Sequence, residues 1–255
     1  MDRTRLRTAL VTGAARRIGR AIVEDLAHQG FAVAIHAHES IEEAEALAQH
    51  LRAEGARAVA VQADLADVAA CGGLLKKTTE MLGPVDLLVN NASIFKYDSA
   101  EAFENAIWDE HFDVHVRAPA ILSAAFARQL PEDVQGLIVN IIDQRVLKPN
   151  PRFFSYTLSK SALWTATKTM AQALAPRIRV NAIGPGPTVP SSRQSIADFQ
   201  AQVDRTILKV GPRFDEFGRT IRFLFDTPSI TGQMIALDGG QHLGWQTPDI
   251  MEIVE

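Results

Sequence analysis

The sequence predicts a doubly wound α/β fold: a seven-stranded parallel sheet with helices on both faces, in one domain spanning residues 1–255. Three observations carry this. Short, β-branched apolar runs alternate with helical stretches, the pattern of strands joined by crossover helices. A glycine turn separates the first apolar run from the first helical stretch. The chain has 255 residues, 47% of them hydrophobic, enough for one sizeable core.

The elements follow in order. Thr8-Ala9-Leu10-Val11-Thr12 reads as a buried strand, and residues 21–27 have helical periodicity. Residues 31–36 form a second strand ending at Ala37. Residues 58–62 and 86–90 are strands three and four, with a helix across 68–82 between them and Pro84 just before the fourth. A long helical region spans roughly 103–130, interrupted near Pro119, because proline lacks the N–H a helix interior needs. Strand five is 137–142, and the helix carrying Tyr156 runs to about residue 174. Strand six is 178–183, and strand seven lies near 234–237. Between them, residues 184–193 are rich in Gly and Pro and suit a loop covering a site, so a substrate loop and helix region is expected at about 187–215. The tail from Leu243 to Glu255 passes the last strand, and its Trp245 is expected to pack on a neighbouring subunit.

Composition narrows the function classes. No apolar run approaches the roughly 18 residues of a membrane span. Met1-Asp2-Arg3-Thr4-Arg5 leads directly into the first strand, with no signal peptide. A lone Cys71 excludes an internal disulfide and a cysteine metal cluster, and fits a reducing cytosol. A formal charge of −4 carries no nucleic-acid signature. His36 and His38 are too isolated for a metal site.

Strand, glycine turn, helix is the context of a dinucleotide phosphate site. Gly13 and Gly19 let the backbone approach a pyrophosphate, and the helix N-terminus offers free N–H groups and a positive dipole end. An NAD-preferring site places a carboxylate near the end of the second strand, and Ala37 offers none. Arg16 and Arg17, with His38 and Ser40, instead suit a 2′-phosphate, which favours NADPH over NADH; Glu39 is the contrary sign.

Tyr156 and Lys160, four apart, share one helix face, with Asp143 thirteen residues upstream of the tyrosine. An ammonium beside a phenol stabilises the phenolate, so the Tyr156 pKa is expected to fall toward neutrality. Such a phenol protonates a substrate atom as a hydride arrives.

With these motifs the chain resembles the short-chain dehydrogenase/reductase family over nearly its whole length. The landmarks stand in the family's order: Thr12-Gly13 through Gly19, Asp64, Asn90-Asn91-Ala92-Ser93, Tyr156 with Lys160, and Pro185-Gly186. The resemblance implies the Rossmann fold and commonly a homotetramer. It implies that Ile18 belongs to the phosphate turn, that Asp64 and Leu65 contact the adenine region, and that Asn90, Asn91 and Ala92 line the cofactor. It further implies that Lys160 holds the nicotinamide ribose and that Pro185, Gly186 and Thr188 border the nicotinamide. Three departures look like the pteridine reductase branch: Arg17 at the usual middle glycine, Asp143 at the usual serine, and Ser93-Ile94-Phe95 after Ala92. That resemblance implies that Arg17 contacts phosphate and pterin, Phe95 stacks on the pterin, and Asp143 works with Tyr156. A fourth departure, His115 at a usual asparagine, is similar to dihydromonapterin reductases of the same branch. His115 reads either as a proton-relay group or as a helix histidine bonded to a backbone carbonyl.

A pterin binds between an aromatic face and the nicotinamide, with polar groups such as Ser93 and Arg17 at its edge. Its C=N reduction needs hydride at carbon and a proton at nitrogen. A carboxyl beside a phenol in a dry pocket gains a raised pKa and carries a proton, although a nearby Lys160 opposes the rise. The expected function is an NADPH-dependent pteridine reductase acting on a dihydropterin or dihydrofolate. The alternatives are a short-chain carbonyl reductase for a 3-oxoacyl thioester or ketone, and a non-catalytic dinucleotide sensor or scaffold.

Overall fold

The computed structural model describes residues 7–190 and 193–247. It begins β1 (Thr8–Val11), α1 (Arg17–His28), β2 (Ala32–Ala37), α2 (Ile41–Ala53), β3 (Ala58–Gln62), α3 (Val68–Leu82), β4 (Leu87–Asn90). It continues α4 (Asn105–Phe112), a π turn (Asp113–Arg117), α5 (Ala118–Gln129), β5 (Gly136–Ile141), a 3₁₀ turn (Gln144–Val146) and α6 (Phe154–Leu174). Then come β6 (Ile178–Pro185), α7 (Ile196–Asp204), α8 (Phe214–Asp226) and β7 (Met234–Leu237), with a short 3₁₀ turn at Gln241–Leu243.

The seven strands lie in the order β3-β2-β1-β4-β5-β6-β7. Every pairing is parallel, with Ala9 opposite Val33 on one side and Leu87 on the other. Side chains alternate across a strand, so each strand feeds two cores. Ala9, Val11, Val33 and Val89 meet Ile22 and Leu26 of α1, Leu47 of α2 and Phe217 and Ile221 of α8. Leu10, Ala34, Leu88 and Ile138 meet Leu74 of α3 and Leu122 and Phe126 of α5 on the other face. Burial on both faces is why the strands read as unbroken apolar runs.

Two expectations need correction. The break in the long helical region falls at Asp113–Arg117, as a π turn, ahead of Pro119. Pro119 sits in the first turn of α5. Its ring would crowd the carbonyl of residue 115 in a regular helix, and the wider turn relieves that. Strand six runs two residues further than expected, to Pro185, because β7 pairs with Gly184 and Pro185. The predicted 187–215 region contains α7, and residues 191–192 and 248–255 lie outside the described residues. Trp245 is 56% exposed in the single chain.

All strand C-termini point to one edge of the sheet. The chain winds outward in opposite directions from β1 and β4, and this switch point opens a crevice at that edge.

Candidate active site

Asn91 closes the turn after β1. Its Nδ2 donates to the carbonyls of Thr12 (2.8 Å) and Gly13 (3.0 Å), while Thr12 Oγ1 accepts the N–H groups of Asn91 (2.9 Å) and Ala92 (3.0 Å). Gly13 has φ +61°, and a Cβ there would lie 2.8 Å from Ala92 Cα. A Cβ on Gly19 would stand 2.4 Å from the Gly13 oxygen. Only glycine fits either position. The Gly13 N–H is held by His36 Nδ1 at 3.0 Å, and His36 Nε2–H donates to the Ala63 carbonyl at 3.1 Å. Burial pushes the His36 pKa down to about 4, so the ring stays neutral and keeps this tautomer. His36 is thus a strut of the phosphate turn, a role its strand-end position did not announce.

Arg17 adopts φ +55°, the left-handed region that glycine enters without strain. Its guanidinium donates to the carbonyl of Pro190 at 3.2 Å, across the loop after β6. Arg16 pairs with Glu43 at the surface. The cleft holds about 1060 Å³ and includes Arg16, Arg17, Ile18 and Gly19 in its wall. At one end stand His38, Glu39, Asp64 and Leu65, and at the other Pro185, Gly186 and Thr188, with Asn91 and Ala92 between. Asp64 Oδ2 lies 3.9 Å from His38 Nε2. Ser40 flanks the start of α2 and is not part of the cleft wall. Asn90 lies beneath it: Asn90 Nδ2 donates to Asn140 Oδ1 and Asn140 Nδ2 to Thr167 Oγ1, both at 2.8 Å, which ties β4 and β5 to α6.

The catalytic candidates meet at the other wall. Tyr156 Oη donates to Asp143 Oδ2 at 2.9 Å. Asp143 Oδ1 accepts the Arg145 N–H at 2.8 Å, so this carboxylate caps the 3₁₀ turn and bonds the phenol together. Lys160, 2% exposed, donates to the Ile141 carbonyl at 2.9 Å, and its Nζ is 5.8 Å from the Tyr156 ring centre. Burial lowers the Lys160 pKa to about 8, against the pull of Asp143.

The expected fall of the Tyr156 pKa is overturned. Burial and the adjacent Asp143 carboxylate raise it well above 10, while Arg145 and a hydrogen bond from Ser93 work weakly the other way. Burial is the larger cause, and the Asp143 carboxylate, which touches the phenol oxygen, adds to it. Burial also raises the Asp143 pKa, outweighing the Arg145 amide, the Arg145 charge, the Tyr156 hydroxyl and Lys160. Asp143 and Tyr156 therefore form one coupled pair, each held above its ordinary pKa.

His115 stands behind this pair. Its Nε2 accepts the Ile94 N–H at 3.1 Å and lies 3.0 Å from Ser93 Oγ. Its Nδ1 is 2.8 Å from Ser159 Oγ, which donates to the Tyr156 carbonyl at 2.8 Å. The backbone-carbonyl reading is thereby corrected: the ring's partners are two hydroxyls and an amide N–H. His111, which the sequence did not single out, stacks on His115 at 5.5 Å and bonds Ser155 Oγ at 2.7 Å. Burial lowers the pKa of both rings.

Phe95 presents its ring edge-on to Tyr156 at 4.7 Å and stacks on Phe153 at 4.1 Å. Arg145 and Arg193 flank this stack. Phe153, Arg145 and Arg193 were not foreseen, since they stand in aperiodic segments that only the fold brings together.

A parallel Rossmann sheet with a glycine turn and a Tyr-Lys pair at its switch point defines a dinucleotide-dependent reductase scaffold. The chain belongs to the short-chain dehydrogenase family, whose sequence profile matches residues 7–201. It is similar to FolM alternative dihydrofolate reductase 1 from Brucella canis, solved with NADP: 59% identity, TM-score 0.93, 95% of this chain and 96% of that one. The same protein from Brucella suis, also with NADP, matches at 59% identity and TM-score 0.93 over 95% and 98%. A 3-oxoacyl-[acyl-carrier-protein] reductase FabG from Staphylococcus epidermidis is 31% identical over 242 residues, 93% of this chain and 99% of the relative.

Proposed function

We propose that the protein is an NADPH-dependent pteridine reductase that reduces the C=N bond of a dihydropterin or dihydrofolate, working in the cytosol as a homotetramer. The observation that carries this is the 2.9 Å Asp143–Tyr156 bond, set beside Phe95 at the end of a dinucleotide cleft. The names and bound NADP of the Brucella relatives support it. A lone buried cysteine, Cys71, suits a reducing compartment.

The residues present fit the cofactor. Gly13 and Gly19 leave a cradle that a Cβ would fill, and Arg17, His38 and the unpaired N–H groups opening α1 suit phosphates. Asp64 and Leu65 would flank adenine; Asn91, Ala92, Pro185, Gly186 and Thr188 would line the nicotinamide half. Lys160 would bind the ribose, and NADPH when bound supplies the hydride. Phe95 and Ser93 would hold the pterin. Tyr156 delivers the proton to the ring nitrogen and Asp143 replaces it. A carboxyl with a raised pKa is a suitable reservoir, which serine at this position is not.

The test is NADPH oxidation with dihydrobiopterin, dihydromonapterin, dihydrofolate and acetoacetyl thioester, using wild type and Tyr156→Phe. Pterin turnover that Tyr156→Phe lowers by about 100-fold or more fits the proposal. Turnover with the thioester alone would make the protein a carbonyl reductase, the reading the FabG relatives favour.

A further inference from the structure

Behind Phe95 a second cavity of about 550 Å³ adjoins the cleft. The two share Phe95, Arg145, Gln194 and Gln202 as common wall, so one ligand can extend from the first into the second. Three arginines, Arg145, Arg152 and Arg193, line the second cavity against one carboxylate, Asp198. Asp198 already accepts the Ser195 hydroxyl at 2.6 Å. The rest of the lining includes the aromatic faces of Phe95 and Phe153.

The Arg145 and Arg193 guanidiniums lie over these rings. The Arg193 guanidinium carbon lies 5.3 and 5.5 Å from the Phe95 and Phe153 centroids, and that of Arg145 lies 5.5 and 5.0 Å away. The two centroids are themselves 4.1 Å apart in a stack. Arg145 Nη1 is buried with no hydrogen-bond partner, and its Nε is 4.0 Å from Asp143 Oδ1. Arg193 uses Nη2 on the Phe95 carbonyl at 2.8 Å. Phe153 holds φ +58°, a left-handed backbone of the kind found at ligand clamps.

The geometry points to a subsite for an anionic aromatic extension of the pterin: an aryl group that lies along the Phe95–Phe153 stack and ends in carboxylates that pair with Arg152 and Arg193. The p-aminobenzoylglutamate part of dihydrofolate has this chemistry; the short hydroxylated side chains of simple pterins do not. This rests on the pteridine-reductase reading and names the substrate class within it. Guanidinium–carboxylate pairing favours a bidentate carboxylate over a neutral polyol.

Three substrates with one ring system separate the possibilities at saturating NADPH: dihydrobiopterin, dihydropteroate and dihydrofolate. In the exposed Arg152→Glu, kcat/KM for dihydrofolate is expected to fall about tenfold through KM, while dihydrobiopterin changes less than about twofold. Dihydropteroate, with one carboxylate, should fall between. Arg193→Glu, which also releases the Phe95 carbonyl, is the second variant, and the dihydrofolate-to-dihydrobiopterin ratio is the readout, so a loss of folded enzyme or a loosened Phe95 cancels. Equal effects on both substrates, or an unchanged ratio in both variants, overturns the subsite while leaving pterin reduction standing. Absence of wild-type turnover with all three removes the pteridine-reductase reading itself.

Discussion

Asp143 is the residue whose charge state controls the proposed chemistry. Its folded pKa is raised, chiefly by burial, so its protonated form persists above the ordinary carboxylate range. Turnover that needs this proton is full below the raised pKa and declines as pH rises through it. Asp143→Ser is expected to lose that limb and to lower kcat by about 100-fold; an unchanged pH profile in the variant would remove Asp143 from the proton path. His36 gives an opposite dependence, in stability. The folded chain keeps it neutral down to about pH 4, whereas an unfolded chain protonates it near 6.5. Its contribution is complete above pH 6.5 and is lost as pH falls from there toward 4, on the order of 3 kcal/mol. Urea unfolding between pH 7 and 5 should show a slope that His36→Gln flattens; His111 and His115, also held neutral by burial, leave part of it. Arg17 carries a backbone cost of about 1 kcal/mol for its left-handed φ. Arg17→Gly is expected to keep the fold at least as stable while weakening NADPH binding about tenfold, read by melting temperature and fluorescence titration. The Asp143, Tyr156 and Lys160 trio was legible because local spacing on a strand end and a helix announces it. The direction of the Tyr156 shift was not, because it depends first on how deeply the phenol is buried and then on which charge touches its oxygen.

At the scale of elements, α8 was the helix the sequence concealed, though it seals one face of the sheet. Phe217, Ile221, Leu224 and Phe225 are its buried stripe, and Phe225 meets Phe31 edge-on at 5.1 Å. Its Gly218 lies against α1: a Cβ there would stand 2.4 Å from the Asp25 side chain, which Arg222 holds at 2.8 Å. Gly218→Ala is expected to push α8 outward and cost about 1–3 kcal/mol, measured by urea unfolding, with the catalytic residues untouched. Strands and their order were readable because two-sided burial writes continuous apolar runs. The break expected near Pro119 falls ahead of it, as a π turn, because proline acts on the carbonyl four residues before it, not at its own position. The segment from 144 to 153 and the loop after β6 carry no periodicity. The Arg193–Phe95 contact, which joins that loop to the one after β4, spans 98 residues of sequence, and no local pattern encodes such a distance.

At the scale of the whole molecule, the single chain leaves Leu243 and Trp245 exposed at 60% and 56% near its described end, with Phe223 of α8 exposed at 52%. A homotetramer would cover such groups. Light scattering should then report about 112 kDa rather than the 27.9 kDa of one chain, and Trp245→Glu should lower that mass. The doubly wound fold itself was legible from alternation alone, since parallel strands demand crossover helices. The strand order has a consequence for how the chain is made. Ala9 of β1 pairs with Leu87 of β4, so β1 cannot complete its pairing until 78 further residues have been synthesised. At roughly 5–20 residues per second, one edge of this interior strand waits about 4–16 s for its neighbour. The phosphate turn leaves the ribosome early and Tyr156 much later, so the nascent chain carries half a binding site, and an open apolar edge, well before it has any chemistry to perform.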